Sequence, residues 1–558
     1  LYKSFKYLKD LYKMDEDEGN LKISDYKKEE EGNMVEDNQE SFTSEGNERI
    51  MSVDESATLN LNLLDKRLQK RRKKDGIITI IGLCLQKMEI GLLCSLNNVS
   101  IYYTFFLHTL DENVAKEDLY TLNSVLGLSQ SSTIWIGGIL QLYIGIRLVM
   151  ALGNAFLIAG CIGCIFLKNI LGFYFMMAIL GIGLGAPGQI TNVNCFLYFP
   201  KKRSLISGIA NIAWTLSSSF FNFIALYICN PHHKKLIFNE KEKNDEENKG
   251  KEFYNENGDD IDNIRYFTIF MLISVIVLSI LSIILTYKFN KENYVRSFDD
   301  DDDEEEEKKE EEKKEEEKDK DNLAINDSEN NSSSGKPKEE KESKKKKDDD
   351  DGITFYDYLK QWRFYTCFFL NTFKLTYASF VMGSFIVFAL QYKTVSTANI
   401  NYITSSAFAV NSVVTFVISL FLDKFKYKTV IIPTYILMLA HAFTFRFIKK
   451  NSVLYIVYYY VINVLVNFDN LSSFPHYVKV FGNKFSVIIF GIFGVGGAFF
   501  GFAMSFFYKY ALKDKENEEY DNSLDLLVYI TATFVIASLV FMILESEKPL
   551  FPKKDEEK

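Results

Sequence analysis

Few ionisable side chains lie inside the long apolar stretches of this sequence, and the most prominent of them is Lys374. It occurs in the run Asn371-Thr-Phe-Lys374-Leu-Thr-Tyr377. A charge in a helix that crosses a bilayer costs about 2.5–3.5 kcal/mol on insertion scales, so it usually has a function. We expect the Lys374 ammonium to face a central cavity and to hold a carboxylate. The alternative is a lysine that extends along an apolar wall towards water.

Two further groups are candidates for carrying a proton. Asp469, in Asn467-Phe-Asp469-Asn470, is predicted to be either the counter-ion of Lys374 or a proton acceptor. His441 also lies well inside an apolar run, where we interpret it as a proton relay, with ordinary polar packing as the alternative.

Other polar residues occur in the same stretches. Lys87 and Glu89 belong to a long apolar stretch that follows a charged segment, so we interpret them as charges at a membrane interface. Neutral amides are predicted to line a hydrated path and to bind substrate, with hydrogen bonding between helices as the alternative for each. These amides are Asn97, Asn98, Gln189, Asn192 and Asn411.

The elements that must position these side chains are apolar helices. Charged residues make up 25% of the 558-residue chain, but they concentrate in hydrophilic blocks at 1–75, 230–264 and 288–360. A bilayer core about 30 Å thick requires roughly 20 apolar residues of helix, because backbone groups in lipid must be satisfied within the segment. The sequence therefore predicts an all-α polytopic membrane protein with twelve transmembrane helices. The predicted spans are 77–107, 121–145, 148–167, 170–198, 204–228, 265–287, 364–391, 399–422, 429–447, 452–478, 485–509 and 524–545.

The spans fall into two groups of six with a hydrophilic linker between them. The predicted domains are a disordered leader at 1–75, an N-terminal bundle at 76–288, a charged and mostly disordered linker at 289–360, a C-terminal bundle at 361–546 and a tail at 547–558. Basic residues mark cytoplasmic loops, and here they cluster before the first span, at Lys201-Lys202-Arg203 and at Lys424 to Lys428. We expect a multi-pass protein of the plasma membrane, rather than of an organelle, with both termini cytoplasmic.

Several kinds of chemistry are not predicted. The seven cysteines lie in or at the ends of spans and are interpreted as packing residues, including the Cys161-x-x-Cys164 pair. No G-x-x-x-x-G-K-[ST] run occurs, so the chain has no P-loop that would couple its activity to ATP. We expect neither an enzyme nor a cofactor or metal site. We also expect a monomer in the lipid bilayer, without a nucleic-acid partner.

The two groups of spans carry traces of an internal repeat. After span four the chain reads Phe199-Pro-Lys-Lys202-Arg-Ser204-Leu-Ile206, and after span ten Phe481-Gly-Asn-Lys484-Phe-Ser486-Val-Ile488, an offset of 481 − 199 = 282. A second pair of loops follows spans two and eight, where Leu142 aligns with Asp423 at an offset of 423 − 142 = 281. Nearly equal offsets in equivalent loops predict two six-helix halves related by pseudo-two-fold symmetry.

The second pair of loops resembles the loop signature of the major facilitator superfamily, G-x-x-x-D-R-x-G-R-R. Gly138, Gly145 and Arg147 match it in the first half, and Asp423 with Lys424 match it in the second. Leu142 stands where the family has its aspartate. The resemblance implies the twelve-helix fold of that superfamily and a conformational role for these loop residues.

A finer resemblance is to the monocarboxylate and oxalate/formate branch of the superfamily. It rests on the passages Gly181-Ile-Gly-Leu-Gly185-Ala-Pro-Gly188 and Phe199-Pro200-Lys-Lys-Arg203. The Asn- and Lys-rich insertions are similar in composition to those of apicomplexan parasites.

These features together predict a secondary active transporter that works by alternating access. The resemblance implies a small organic anion as cargo, of lactate or pantothenate size, moved together with protons. An amino-acid carrier of the same superfamily is the first alternative, and it requires an additional acid near Lys374. A non-transporting receptor or scaffold with the same fold is the second alternative, in which case the polar residues should face other helices.

Overall fold

The chain is represented by a computed structural model that describes residues 46–110, 114, 118–231, 259–290, 354–391, 397–422, 424–448, 451–512, 517–546 and 548–551. The regular secondary structure of these residues is α-helical. The helices are α1 (Gly46–Leu110), α2 (Asp118–Ile144), α3 (Ile146–Ile165), α4 (Ile170–Gly185), α5 (Ile190–Tyr198), α6 (Arg203–Cys229), α7 (Asp259–Leu285), α8 (Phe355–Leu359), α9 (Trp362–Gln391), α10 (Thr397–Leu422), α11 (Tyr427–Ile448), α12 (Ser452–Leu512) and α13 (Asn517–Leu544).

Each of the predicted spans lies on a helix, except span four, which is divided between α4 and α5. Nine helices in the described ranges are long and apolar enough to cross a membrane. One of them belongs to α12 and contains two spans, separated at Gly482, where φ is 75°. Glycine suits this break because other residues rarely adopt a positive φ. Helices α2 and α9, with 27 and 30 residues, cover the two remaining predicted spans.

Contacts divide the chain into two compact units. The described part of the first unit is the beginning of α1, from Gly46 to Lys70. The sequence predicts no fold for the leader, but this part is helical because it contains no proline and continues directly into the first span. The second unit, Arg71–Val295 with Glu307–Lys558, contains the rest of α1 from Arg71 onward and helices α2 to α13.

Within the second unit, α1 to α7 form the first half and α8 to α13 the second. Large apolar side chains such as Phe175, Ile273 and Phe447 are exposed on the outside of the bundle. A soluble protein rarely exposes so many large apolar residues, whereas a bilayer solvates them. The exposure pattern therefore agrees with a protein that spans a membrane.

Two pairs of helices join the halves, α2 with α12 and α6 with α10. The α2–α12 contact is close, because a Cβ atom added at Gly491 would lie 2.4 Å from the backbone nitrogen of Trp135. The α6–α10 contact is polar. Thr215 and Ser412 share a hydrogen bond between their hydroxyls at 2.7 Å, and Asn211 Nδ2 donates to Thr415 Oγ1 at 3.1 Å.

The halves also meet at the end of the bundle that carries the Lys201–Arg203 loop. The ring centroids of Phe196 and Phe474 are 5.8 Å apart, and three valines join them in one buried cluster. We call these residues the basic-loop seal, which consists of Val193, Phe196, Phe474, Val478 and Val487. The two halves are therefore in apolar contact at this end.

Basic residues at equivalent positions cap the last helix of each half. Arg147 Nε donates to the carbonyl of Thr286 at 2.8 Å, just beyond α7, and Lys428 Nζ donates to the carbonyl of Ile543 at 2.9 Å, in α13. Their offset, 428 − 147 = 281, equals that of the second pair of repeated loops. Cations at helix C-termini are stabilised by the helix dipole and by unpaired carbonyls. The repeat thus extends to individual side-chain contacts.

Candidate functional site

Lys374 and Asp469 form a buried ion pair inside the second half. Lys374 Nζ lies 2.9 Å from Asp469 Oδ2, and their side chains are 3% and 6% exposed. Lys374 also donates to Ser473 Oγ at 2.6 Å. The lysine therefore points from α9 towards α12, away from lipid and from the ends of the bundle. Two charges so deeply buried are tolerated because each neutralises the other.

Hydroxyl groups complete the surroundings of the Asp469 carboxylate. Tyr435 Oη donates to Asp469 Oδ1 at 3.3 Å, and Ser473 Oγ lies at the same distance from that oxygen. Tyr427 Oη contacts Ser473 Oγ at 3.1 Å. These three hydroxyls are not among the site residues that the sequence predicts. Ser473 follows Asp469 by four residues and therefore lies on the same face of the helix, so its spacing could have identified it from the sequence. No sequence pattern places Tyr427 and Tyr435 of α11 near Asp469.

His441 lies one turn further along the same region but has other partners. Its Nδ1 is 3.0 Å from Tyr377 Oη, and its ring stacks on Tyr458 with centroids 4.8 Å apart. Because Tyr377 follows Lys374 by three residues on α9, His441 is near the ion pair without contacting it. The structure thus brings Lys374 and Asp469 together and leaves His441 in a separate hydrogen bond.

The first half contains a second buried lysine, at a break between α4 and α5. Lys87 Nζ donates to the carbonyl of Gly188 at 2.7 Å, and Gln86 Nε2 donates to the carbonyl of Pro187 at 3.0 Å. Pro187 has no N–H, so the helix is interrupted here and carbonyl groups become available to side chains. Lys87 is only 8% exposed.

The interpretation of Lys87 and Glu89 as interfacial charges is therefore wrong. Glu89 is 1% exposed, and Ser282 Oγ donates to its Oε1 at 3.5 Å. The reason is the length of α1, which begins at Gly46, so that these residues lie deep within the bundle rather than near a helix end.

The neutral candidates lie in several places. Asn192 Nδ2 donates to Gln189 Oε1 at 2.6 Å, while Asn192 Oδ1 is buried and has no partner among the described residues. Asn192 precedes Phe196 by one helical turn, on the face of α5 that meets Phe474.

The other neutral candidates lie on α10 and α1. Asn411 is fully buried in α10, and within the described ranges its amide atoms have no partner. Asn97 and Asn98 lie on α1, but their side chains are outside the described part of the structure.

The loop residues of the signature are partly described. Gly138 packs against Val487 and Ile488 of α12, and Gly145 has a φ of 78° between α2 and α3. Lys424 is exposed. Asp423 lies outside the described residues.

Comparison with known proteins identifies the family to which the fold belongs. The family model of the Major Facilitator Superfamily matches residues 90–466. A D-xylose-proton symporter has a similar structure, with a TM-score of 0.56 and 12% sequence identity over 84% of this chain and 97% of that chain. The human organic anion transporter MFSD10 (TETRAN) is similar with a TM-score of 0.51 and 10% identity over 84% of this chain and 99% of that one. No curated protein is significantly similar in sequence.

The family match covers more than half of the chain, and the helices described above have the arrangement of that fold. The chain therefore belongs to the Major Facilitator Superfamily, as a multi-pass integral membrane protein and a secondary transporter of small molecules.

Proposed function

We propose that this transporter moves a small organic anion of monocarboxylate type together with protons. The observation that carries the proposal is the buried ion pair of Lys374 and Asp469. The two charges of the pair compensate each other, so a group of the protein already neutralises the lysine. A substrate carboxylate can bind Lys374 only when Asp469 no longer competes for it.

Protonation of Asp469 supplies that condition. A protonated carboxyl group cannot neutralise Lys374, and a buried ammonium without an anion is strongly disfavoured. Binding of the proton therefore favours binding of an anion, and binding of the anion favours retention of the proton, since the coupling is reciprocal. The Tyr435 hydroxyl, 3.3 Å from Asp469 Oδ1, can hold the carboxyl group in place in either state.

The fold supports this proposal only as an analogy. One protein of similar structure is described as a proton symporter for D-xylose and another as an organic anion transporter. Both activities therefore occur on this fold. The residues of this chain, rather than those similarities, are the basis for proposing an anion.

The amino-acid alternative requires an additional acid near Lys374 that would bind the substrate ammonium. Among the described residues, the acid paired with Lys374 is Asp469. Because Asp469 is already committed to the lysine, the structure favours an anion over a zwitterion. A receptor or scaffold would transport neither.

Uptake into proteoliposomes tests the proposal. The purified protein is reconstituted and offered a panel of labelled carboxylates and amino acids, with the outside either more acidic than the inside or equal to it. We expect carboxylate uptake that increases as the outside becomes more acidic, since protons then load Asp469. Asp469→Asn should abolish the effect of the gradient, and Lys374→Ala should abolish uptake.

The matched control is Arg446→Gln, which breaks a partly exposed ion pair with Asp525 in the same half. This variant should transport as the parent does. Uptake of amino acids but not of carboxylates would establish the alternative carrier. Uptake that is unchanged in Lys374→Ala would remove the ion pair from the mechanism.

A further inference from the structure

The lysine contacts of the two halves are related by the internal repeat. Lys87 lies on α1 and Lys374 on α9, the helices that contain the first span of each half, and their offset of 374 − 87 = 287 is six residues larger than that of the repeated loops. Their partners Gly188 and Asp469 are separated by 469 − 188 = 281 residues, the offset of the repeated loops. The same contact between the first and fourth spans therefore occurs in each half.

The two contacts differ in the group that receives the ammonium. In the second half that group is the Asp469 carboxylate, whereas in the first half it is the backbone carbonyl of Gly188. A carbonyl accepts a hydrogen bond but does not neutralise a charge. In the described part of the chain, no carboxylate forms a salt bridge with Lys87, and Glu89 on the same helix contacts Ser282 instead.

A second observation concerns α5, the helix that follows the break at Pro187 and Gly188. The residue equivalent to Ser473, which binds Lys374, is Asn192, since 473 − 281 = 192. Asn192 is 5% exposed, and its Oδ1 atom has no partner among the described residues. It lies one turn from the basic-loop seal, on the face of α5 that meets the second half. The first half thus has a buried cation without an acid and a buried amide with unused hydrogen-bonding capacity.

We infer that Lys87 also binds the anionic group of the transported solute, so that the carboxylate is held by Lys87 of the first half together with Lys374 of the second. Asn192, held by Gln189, is the neutral contact beside Lys87. The ligand class is a small solute with a carboxylate, and this inference rests on the proposed transport of organic anions. It assigns Lys87 to affinity for the anion, whereas Asp469 determines the response to protons.

The competing explanation is structural. Lys87 bonds a carbonyl at the α4–α5 break, so it could serve only to hold the broken helix together. Gln86 provides the control, because its amide donates to the adjacent carbonyl of Pro187 and accepts from Thr191 but carries no charge. Lys87→Met removes the bond to Gly188, and Gln86→Leu removes the bonds to Pro187 and Thr191. Only Lys87→Met removes a cation.

The experiment measures KM and maximum rate in proteoliposomes for the best-transported carboxylate and tests competition by its neutral amide analogue. We expect Lys87→Met to raise KM by about tenfold or more, because a charge-assisted hydrogen bond is lost. It should also reduce the preference for the carboxylate over the amide, since only Lys374 then remains to bind the charge. Gln86→Leu should leave both KM and this preference unchanged. The pH dependence of uptake should persist in Lys87→Met.

Equal effects of the two variants on KM would overturn the inference. Lys87 would then serve only to stabilise the break between α4 and α5. If Lys87→Met does not reach the membrane folded, Asn192→Leu tests the same site, since Asn192 bonds neither Pro187 nor Gly188. A raised KM in that variant supports the inference, and an unchanged KM overturns it. Absence of any anion uptake by the parent protein would instead refute the proposed function on which the inference rests.

Discussion

The Lys374 ammonium lies 2.9 Å from the Asp469 carboxylate, in the core of the second half. The residues are 469 − 374 = 95 positions apart in the chain, so the pair also ties α9 to α12. Substitutions can separate the role of the pair in stability from its role in transport. Removing one charge leaves the other buried and unpaired, which destabilises the fold. Removing both charges leaves no unpaired charge, although the groups needed for transport are absent.

Lys374→Met and Asp469→Leu should each destabilise the protein by about 3–5 kcal/mol, because each leaves an uncompensated buried charge. The double variant should be more stable than either single variant. Thermal unfolding of the detergent-solubilised protein, followed by intrinsic fluorescence, measures the three differences. Additive losses in the double variant would contradict a direct pairing.

Gly491 should tolerate no side chain, whereas Gly494 on the same helix should. A Cβ atom at Gly491 would lie 2.4 Å from the backbone nitrogen of Trp135, so that Gly491→Ala must push α2 and α12 apart. At Gly494 the nearest atom would be Ser131 Cβ at 3.6 Å, an ordinary contact. We expect Gly491→Ala to lower the unfolding temperature and the transport rate, and Gly494→Ala to match the parent. Similar behaviour of the two variants would show that this seam is not close-packed.

The hydroxyls of Thr215 and Ser412 are 2.7 Å apart and join α6 to α10. Cysteines at both positions should therefore form a disulfide on mild oxidation, since their side chains already meet. If the halves must separate here during alternating access, oxidation should stop uptake and a reductant should restore it. Each single cysteine variant is the control. Full uptake by the cross-linked protein would mean that this seam stays closed throughout the cycle.

Arg363 holds the C-terminal segment against the second half. Its Nη2 atom lies 3.0 Å from Glu545 Oε1 and 2.9 Å from the carbonyl of Lys548. The ring of Phe551 packs on Tyr358 with centroids 5.1 Å apart. The sequence predicts a separate tail at residues 547–558, but Lys548 and Phe551 contact the bundle, because Arg363 and Tyr358 provide partners.

Arg363→Met should release this segment. The Glu545 side chain is 2% exposed, so it would lose its cation in a buried position and stability should fall by about 3 kcal/mol. Limited proteolysis should then cut the segment near Lys548 faster than in the parent. Lys360→Met is the control, because its ion pair with Asp357 is exposed. Equal cleavage of the two variants would contradict the assigned contact.

The sequence determined the helices well, because a bilayer imposes a minimum length of apolar chain that composition alone reveals. It also identified the repeat, since equal offsets in equivalent loops need no coordinates. It suggested Asp469 as a counter-ion for Lys374, although the distance between them depends on how α9 packs against α12. It could not separate that role of Asp469 from the role of a proton acceptor.

Lys87 illustrates what the sequence alone could not decide. Its neighbours in the chain indicate an interfacial charge, yet it is buried against Gly188, 188 − 87 = 101 residues away. The depth of a charge depends on where the helix ends and on which helices surround it, and both are set by packing. The presence of buried lysines was thus determined by the sequence, while only the tertiary structure decided which of them meets an acid and which meets a carbonyl.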